Sequence, residues 1–396
     1  MSGSQSLQTG GRTLANDRKI QISVPSLGEE EWRAMREPVE SGWVTQGPKV
    51  AAFEEAFAEL HQVPHAIAVT SGTTALHLAL AALGITAGDE VILPSFTWIA
   101  TANVVLYCGA TPIFVDVDPV TYNLDPERLR EAVTERTRAV IPVHLFGLCA
   151  DMDAIRAVLP EGVAIVEDAA CAAGASYRGR VAGSIGDVGC FSFHPRKTIT
   201  TGEGGMLTTA DAELAARARE LRNHGAAVSD EMRELGPRPY LLADYESLGF
   251  NYRMTDMQGA MGVVQLAKLE GFITERAKWA AWYRAELAEF GWLATPSEPE
   301  GGRHAWQAFV CNVDPSEAPL PRNELMDRLA QRGISTRPGT HAVHLQGYYA
   351  NRFGLEPTDL PNSLACDKNT VALPMHNCMS DEDYAYVVQV FREIVG

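Results

Sequence analysis

The sequence contains no pair of cysteines in C-x-x-C spacing, no run of 18 apolar residues and no dense run of lysine and arginine. Each absence excludes a class. The seven cysteines, at 108, 149, 171, 190, 311, 366 and 378, are odd in number and sit mostly in apolar surroundings. Neither a zinc site nor a disulfide framework is expected, so no metal is assigned, and reduced thiols in a cytoplasmic protein are the plain reading. No helix is expected to cross a membrane. The formal net charge of −17 argues against a nucleic-acid partner, because such proteins gather basic side chains that displace counterions from phosphate. Residues 1–19 are polar, rich in Ser, Gly and Gln, and lack the apolar centre of a signal peptide. They read as a disordered leader.

What is present is an ordinary globular composition, 46% hydrophobic and 21% charged over 396 residues, long enough for a large domain and a smaller one. From about residue 20 to 210, short β-branched runs alternate with longer helical patterns. Strands are expected over 66–69, 90–93, 113–117, 139–143 and 163–166, with helices over 73–83 and 99–107. Several strands are wholly apolar, as strands covered on both faces must be. The alternation implies an α/β fold with a mostly parallel sheet and right-handed crossovers. After residue 250, Met254, Met257, Met261 and Val264 recur at helical spacing and open a long helix reaching about 287, a stripe suited to core or dimer packing. A large domain over 20–265 and a smaller α+β domain over 266–396 follow.

In doubly wound sheets, ligands bind beyond the carboxyl ends of the strands. After 66–69 comes Thr70-Ser71-Gly72-Thr73-Thr74-Ala75, small and hydroxylated, opening a helix. It is either an anion cradle or an ordinary N-cap. After 90–93 comes Trp98, whose ring either covers a planar ligand or packs. After 163–166 come Glu167 and Asp168, read as a cap or as partners for a buried cation. Beyond 190–194, where Cys190, Ser192 and His194 share a strand face, stands Lys197. A lysine in a partly dry pocket loses proton affinity and becomes a usable nucleophile. The run Thr200–Gly205 allows close backbone approach. A phosphate cradle, an aromatic lid, an acid and a lysine together match one cofactor, pyridoxal phosphate, which needs an acid at its ring nitrogen and a lysine at its aldehyde.

The segments SGTTALHLAL (71–80), GDEVILPSFTWIATAN (88–103), VEDAA (166–170), FSFHPRKTITTGEGG (191–205), GFNYRMTDMQGA (249–260) and SGWVTQGPKVAAFEEAF (41–57) resemble the DegT/DnrJ family. These are pyridoxal-phosphate aminotransferases of fold type I that act mostly on nucleotide-linked keto sugars. The resemblance covers residue 20 to the C-terminus and is most specific up to 265. It implies that Lys197 bonds the cofactor and shuttles protons, and that Asp168 pairs with the ring nitrogen. It also implies that Trp98 stacks on the ring, that Gly72, Thr73, Thr74 and Ser192 hold the phosphate, and that Asn251 reaches it from the partner subunit of a homodimer with composite sites. Cys171 stands where the family usually has Gln or His, near the ring hydroxyl, and a thiol is a poor hydrogen-bond donor. Arg253, Arg337, His341 and His344 fall in segments that meet substrate in relatives, and Arg337 either meets an anionic group such as a sugar diphosphate or is an ordinary surface-loop arginine.

The implied reaction moves an amino group from glutamate or glutamine to a keto carbon of a nucleotide-linked deoxysugar. Cyclitol aminotransferases and aromatising enzymes keep the same lysine and remain an alternative, and a non-catalytic regulator on the same fold is a third class. The family's dehydratases replace the lysine by histidine, so Lys197 argues against them.

Overall fold

The computed structural model describes residues 18–226, 240, 244–298 and 301–396. Its centre is a seven-stranded sheet of β1 (His65–Val69), β2 (Glu90–Pro94), β3 (Thr111–Val115), β4 (Thr137–Val140), β5 (Ala164–Asp168), β6 (Val188–Ser192) and β7 (Gly205–Thr209), in the order β1-β7-β6-β5-β4-β2-β3. β7 runs antiparallel to both neighbours and the other pairings are parallel. Every residue of β2 and β7 is buried, as a sheet covered on both faces requires. The expected α/β class is what the chain adopts.

Helix α1 (Glu29–Ser41) packs on the long α8 (Asp256–Glu286), which also runs along α2 (Pro48–Leu60), and α2, α3 (Gly72–Ala82), α4 (Ile99–Tyr107), α5 (Pro126–Ala132), α6 (Met152–Val158) and α7 (Ala212–Arg222) cover the sheet. α3 is apolar nearly all round because it lies between the sheet and α4 and α7. Two of the quoted motifs meet at the start of α2. The Asp256 carboxylate accepts the amides of Gly47 at 2.8 Å, Val50 at 3.0 Å and Lys49 at 3.1 Å, capping a helix to which it does not belong.

A second core lies around the three-stranded antiparallel sheet of Leu293–Ala294, Phe309–Val313 and Thr370–Leu373, with helices over Arg322–Gln331 and Asp381–Val395. Trp279 stacks on Tyr384 at 3.9 Å there. The buried Arg276 guanidinium donates to the carbonyls of Trp306, Gln307 and Met375 at 3.1 to 3.3 Å. The expected boundary at 265/266 falls inside α8, which is continuous. Contacts also cross it in both directions: Ile20 packs in the second core, and Val343 and Tyr349 pack in the first.

Some expected elements shift. Of the expected leader, residues 1–17 lie outside the described residues, whereas Arg18 pairs with Asp383 at 2.6 Å and the Ile20 amide donates to Gly333 at 2.8 Å. The strand expected over 113–117 is Thr111–Val115. As the edge of the sheet, it tolerates Pro112. The strand expected over 139–143 ends at Val140, before Pro142. The strand expected over 163–166 extends through Glu167 and Asp168.

Candidate active site

The carboxyl ends of β1, β5 and β6 and the start of β7 meet at one edge of the sheet. Val69, Gly205 and Ser192 are aligned by register, and Asp168 lies opposite Cys190. Chain closeness is extreme at two glycines. A Cβ on Gly72 would stand 2.8 Å from the Ser192 Cβ, and one on Gly205 would stand 2.3 Å from the Ser71 carbonyl oxygen. Glycine at both positions lets the start of α3 sit directly on β6 and β7.

Ser71 caps α3. Its hydroxyl accepts from the Thr74 amide at 3.1 Å, and the Thr74 hydroxyl accepts from the Ser71 amide at 2.9 Å. Thr74 is therefore committed to the cap, although it was expected at a cofactor. The amides of Gly72 and Thr73 have no partner among the described residues, and they point from the positive end of an 11-residue helix. Among the described residues, the neighbouring Ser192 hydroxyl accepts only the His194 amide, at 3.4 Å. Cradle and cap, alternatives in the sequence, coexist.

Asp168 is 5% exposed. Its Oδ2 accepts from the Thr101 hydroxyl at 2.8 Å and its Oδ1 from the Ala170 amide at 3.2 Å. Burial pushes its pKa up, against the opposing pull of the Thr101 hydrogen bond and the Lys197 charge. It forms no ion pair among the described residues. Thr101 was missed in the sequence reading; it stands one turn into α4 after Trp98, whose carbonyl accepts from the Thr101 amide at 3.1 Å. Glu167 faces the other way, fully buried. It accepts from His144 Nε2 at 2.8 Å and from the amides of Gly183, Ile185 and Gly186 at 2.6 to 2.8 Å. Burial raises its pKa, but these donors, led by His144, outweigh it and hold the carboxyl below its ordinary value.

Lys197 is half-buried and its amide donates to the His194 carbonyl at 2.8 Å. Its Nζ lies 3.0 Å from Cys171 Sγ. His194, open in the sequence, is a local brace: its Nδ1 accepts from the Arg196 amide at 3.2 Å. Trp98 is 58% exposed, with its ring 5.8 Å from that of the exposed His341, because His341–Ala342 pairs with Phe96–Thr97.

The other expected substrate residues divide. His344 is fully buried, with Nδ1 on the Ser95 hydroxyl at 2.7 Å and Nε2 facing the Pro357 carbonyl at 3.5 Å. Both ring nitrogens are occupied, so it is a core histidine. Arg253 donates to Asn223 at 2.5 Å. Asn251 is exposed on the segment beside the end of β1, where the Thr70 amide bonds the Tyr252 carbonyl at 3.1 Å. Arg337 is anchored by its carbonyl, which accepts from the Ala372 amide at 2.8 Å, and its buried Nε has no partner among the described residues.

These features fit pyridoxal phosphate. A buried carboxylate with no cation of its own matches a protonated ring nitrogen, two free amides at a helix N-terminus match a phosphate, and a lysine amine matches an aldehyde.

Comparison with known proteins agrees. The model of the DegT/DnrJ/EryC1/StrS aminotransferase family matches residues 25–392. The spore coat polysaccharide biosynthesis protein SpsC of Bacillus subtilis is 42% identical over 378 residues, 95% of this chain and 97% of SpsC. The solved structure of S. venezuelae DesV, in complex with a ketimine intermediate, is 36% identical with a TM-score of 0.83, over 92% of this chain and 94% of that one. Spr1654 of Streptococcus pneumoniae, named as a sugar aminotransferase and solved in its PLP form, is 29% identical with a TM-score of 0.88, over 96% and 99%. With its fold, its cofactor-shaped site and its lysine in place, the chain belongs to the DegT/DnrJ/EryC1/StrS family of pyridoxal-phosphate-dependent sugar aminotransferases.

Proposed function

We propose that the protein moves an amino group from glutamate or glutamine to a keto carbon of a nucleotide-linked deoxysugar, in surface-glycan or secondary-metabolite sugar biosynthesis. The observation that carries this reading is the half-buried Lys197 amine at the strand ends shared with Asp168 and the free α3 amides. The naming of SpsC for spore coat polysaccharide biosynthesis supports the sugar pathway.

Bound here, the cofactor supplies an electron sink for a carbanion formed beside its ring. The chain's residues do the rest. Lys197 would hold the cofactor at its aldehyde, and its amine would be the group that takes up and returns a proton beside the substrate. Asp168, held by Thr101 and the Ala170 amide, keeps the ring nitrogen protonated. The amides of Gly72 and Thr73 and the Ser192 hydroxyl receive the phosphate, and Trp98 covers the ring. Asn251, exposed in this chain, serves the site of a second copy, which makes the working unit a homodimer. The parts over 20–265 and 266–396 act as the large and small domains of each subunit.

The reading is tested by offering the pyridoxamine-loaded protein a panel of nucleotide-linked 3-keto and 4-keto sugars alongside a free keto-cyclitol. Return of the visible pyridoxal band with a nucleotide sugar is expected. Return only with the cyclitol contradicts the nucleotide-sugar assignment.

A further inference from the structure

Asn251 reaches the surface because the residues on either side of it are held. Its segment pairs as a strand would, Asn251 antiparallel to Asn223 and Arg253 antiparallel to Val69. The amides of Phe250 and Tyr252 donate to the carbonyls of Leu221 at 2.6 Å and Arg222 at 3.0 Å. The Phe250 carbonyl in turn accepts from the His224 amide at 2.8 Å. The main chain over 250–252 is thereby fixed to the end of α7. Arg222, which is buried, ties the same corner to β1 and α2 by donating to the Ala68 carbonyl at 2.8 Å and to the Glu54 carboxylate.

Side chains decide which way Asn251 faces. The rings of Phe250 and Tyr252 stack at 4.9 Å, and both meet the buried His77 of α3, at 4.8 and 5.9 Å. The Tyr252 hydroxyl lies 2.9 Å from His77 Nδ1. Burial lowers the His77 pKa, so near pH 7 the ring is neutral and brings no charge to this contact. In a strand-like segment alternate side chains face opposite ways. With Phe250 and Tyr252 turned in to His77, Asn251 between them turns out, and it is exposed. Beside it Leu248 is 91% exposed, and Tyr107, whose ring lies 5.6 Å from that of His77, is exposed as well. Large apolar side chains left uncovered in one copy suit a face that a second copy covers.

We propose that His77 is a positioning residue for the site of the second copy: by holding Tyr252 and Phe250 it aims Asn251 across the contact between copies. The proposal rests on the reading that Asn251 serves that site. His77 stands more than a turn beyond the amides of Gly72 and Thr73 at the start of the same helix. One residue thus lies between two sites, its own subunit's through α3 and its partner's through Tyr252. Its hydrogen bond goes to Tyr252, and the proposal assigns its effect to the partner.

Mixed dimers separate the two routes. Two differently tagged copies are co-expressed and dimers bearing both tags are isolated. One copy carries Lys197→Ala, so borohydride can fix pyridoxal phosphate only in the other. The cofactor concentration giving half-maximal labelling of Lys197 is read by peptide mass spectrometry. With His77→Ala in the Lys197→Ala copy, that concentration should rise about tenfold, as the loss of one hydrogen bond to the phosphate implies. With His77→Ala in the lysine-bearing copy instead, it should equal that of the dimer without a His77 substitution. The reverse pattern assigns His77 to its own α3 and overturns the proposal, and so does a rise in neither arrangement. Tyr252→Phe, which removes only the hydroxyl, should give the same pattern with a smaller rise, and it carries the test if His77→Ala does not fold. Asn251→Ala in the same two arrangements checks the underlying reading separately. A rise confined to the arrangement with Asn251→Ala in the lysine-bearing copy, or absent from both, removes the role of Asn251 across the dimer. The expected Asn251 pattern beside a failed His77 pattern overturns the present proposal alone.

Discussion

The amine nitrogen of Lys197 lies 3.0 Å from the sulfur of Cys171. The proposed nucleophile of the site is thus held against a thiol, where the resemblance implies a Gln or His. When the cofactor joins Lys197, this corner is filled. Cys171 should then be alkylated by iodoacetamide several-fold more slowly in the loaded protein than in the cofactor-free protein. Cys378, which is exposed, is the internal control and should react at the same rate in both. Peptide mass spectrometry reads the two sites, and equal Cys171 rates would place the cofactor elsewhere.

Asp168 predicts a pH-dependent stability with an unusual sign. Its native pKa is raised by burial, so the native cofactor-free protein binds this proton more tightly than the unfolded chain does. Stability should therefore fall as pH rises from the unfolded value through the native one. Asp168→Asn removes that cost. Cofactor-free Asp168→Asn should melt above the unsubstituted protein at neutral pH, and the gap should close in acid. With pyridoxal phosphate bound, the order should reverse, because only the carboxylate pairs with the ring nitrogen. Thermal melts of four samples suffice, and a neutral apo Asp168→Asn that melts lower contradicts the account.

Glu167 has the opposite sign. Its pKa is held low by His144 and three loop amides despite burial. Its contribution is present above the unfolded value and lost as pH falls through the native one. Glu167→Gln turns an NH2 group toward donors and should cost about 3 kcal/mol near pH 7. Urea unfolding should show the loss shrinking below the ordinary carboxylate range.

Gly72→Ala tests the cradle. The added methyl would sit 2.8 Å from the Ser192 Cβ, forcing α3 away from β6. We expect a cost of about 1–3 kcal/mol from overpacking and weaker retention of pyridoxal phosphate on dialysis. Gly84→Ala is the control for helix-end glycines away from the site: a Cβ there meets nothing within 4 Å, and its φ of +78° carries the backbone strain alone. Equal cofactor retention in the two variants would argue against a phosphate at α3.

The sheet was legible because its strands are short apolar runs, yet where they end was not. Glu167 and Asp168 read as the residues after a strand because two carboxylates rarely belong inside one. The chain keeps them there by giving Glu167 His144 and three amides from 183–186, partners 16 or more residues away that no local pattern reveals. Thr101 was equally invisible: its bond to Asp168 joins residues 67 apart. His344 misled for the converse reason, since a histidine in a substrate-facing segment reads the same whether it meets a ligand or Ser95. Lys197 and Asp168 stood out in the sequence because the proposed chemistry demands those residue types. Arg337 was flagged by its charge, but that its buried Nε has no partner among the described residues shows only in the folded chain.

The central claim is that Lys197 bonds the cofactor. It is tested most directly by borohydride reduction of the pyridoxal-phosphate-loaded protein and of Lys197→Ala, followed by peptide mass spectrometry. The account predicts a phosphopyridoxyl group on Lys197 in the first and no labelled peptide in the second, with amino-group transfer falling about 1,000-fold or more as the proton-moving amine is lost. A label on another lysine, or stable labelling that persists in Lys197→Ala, would contradict it.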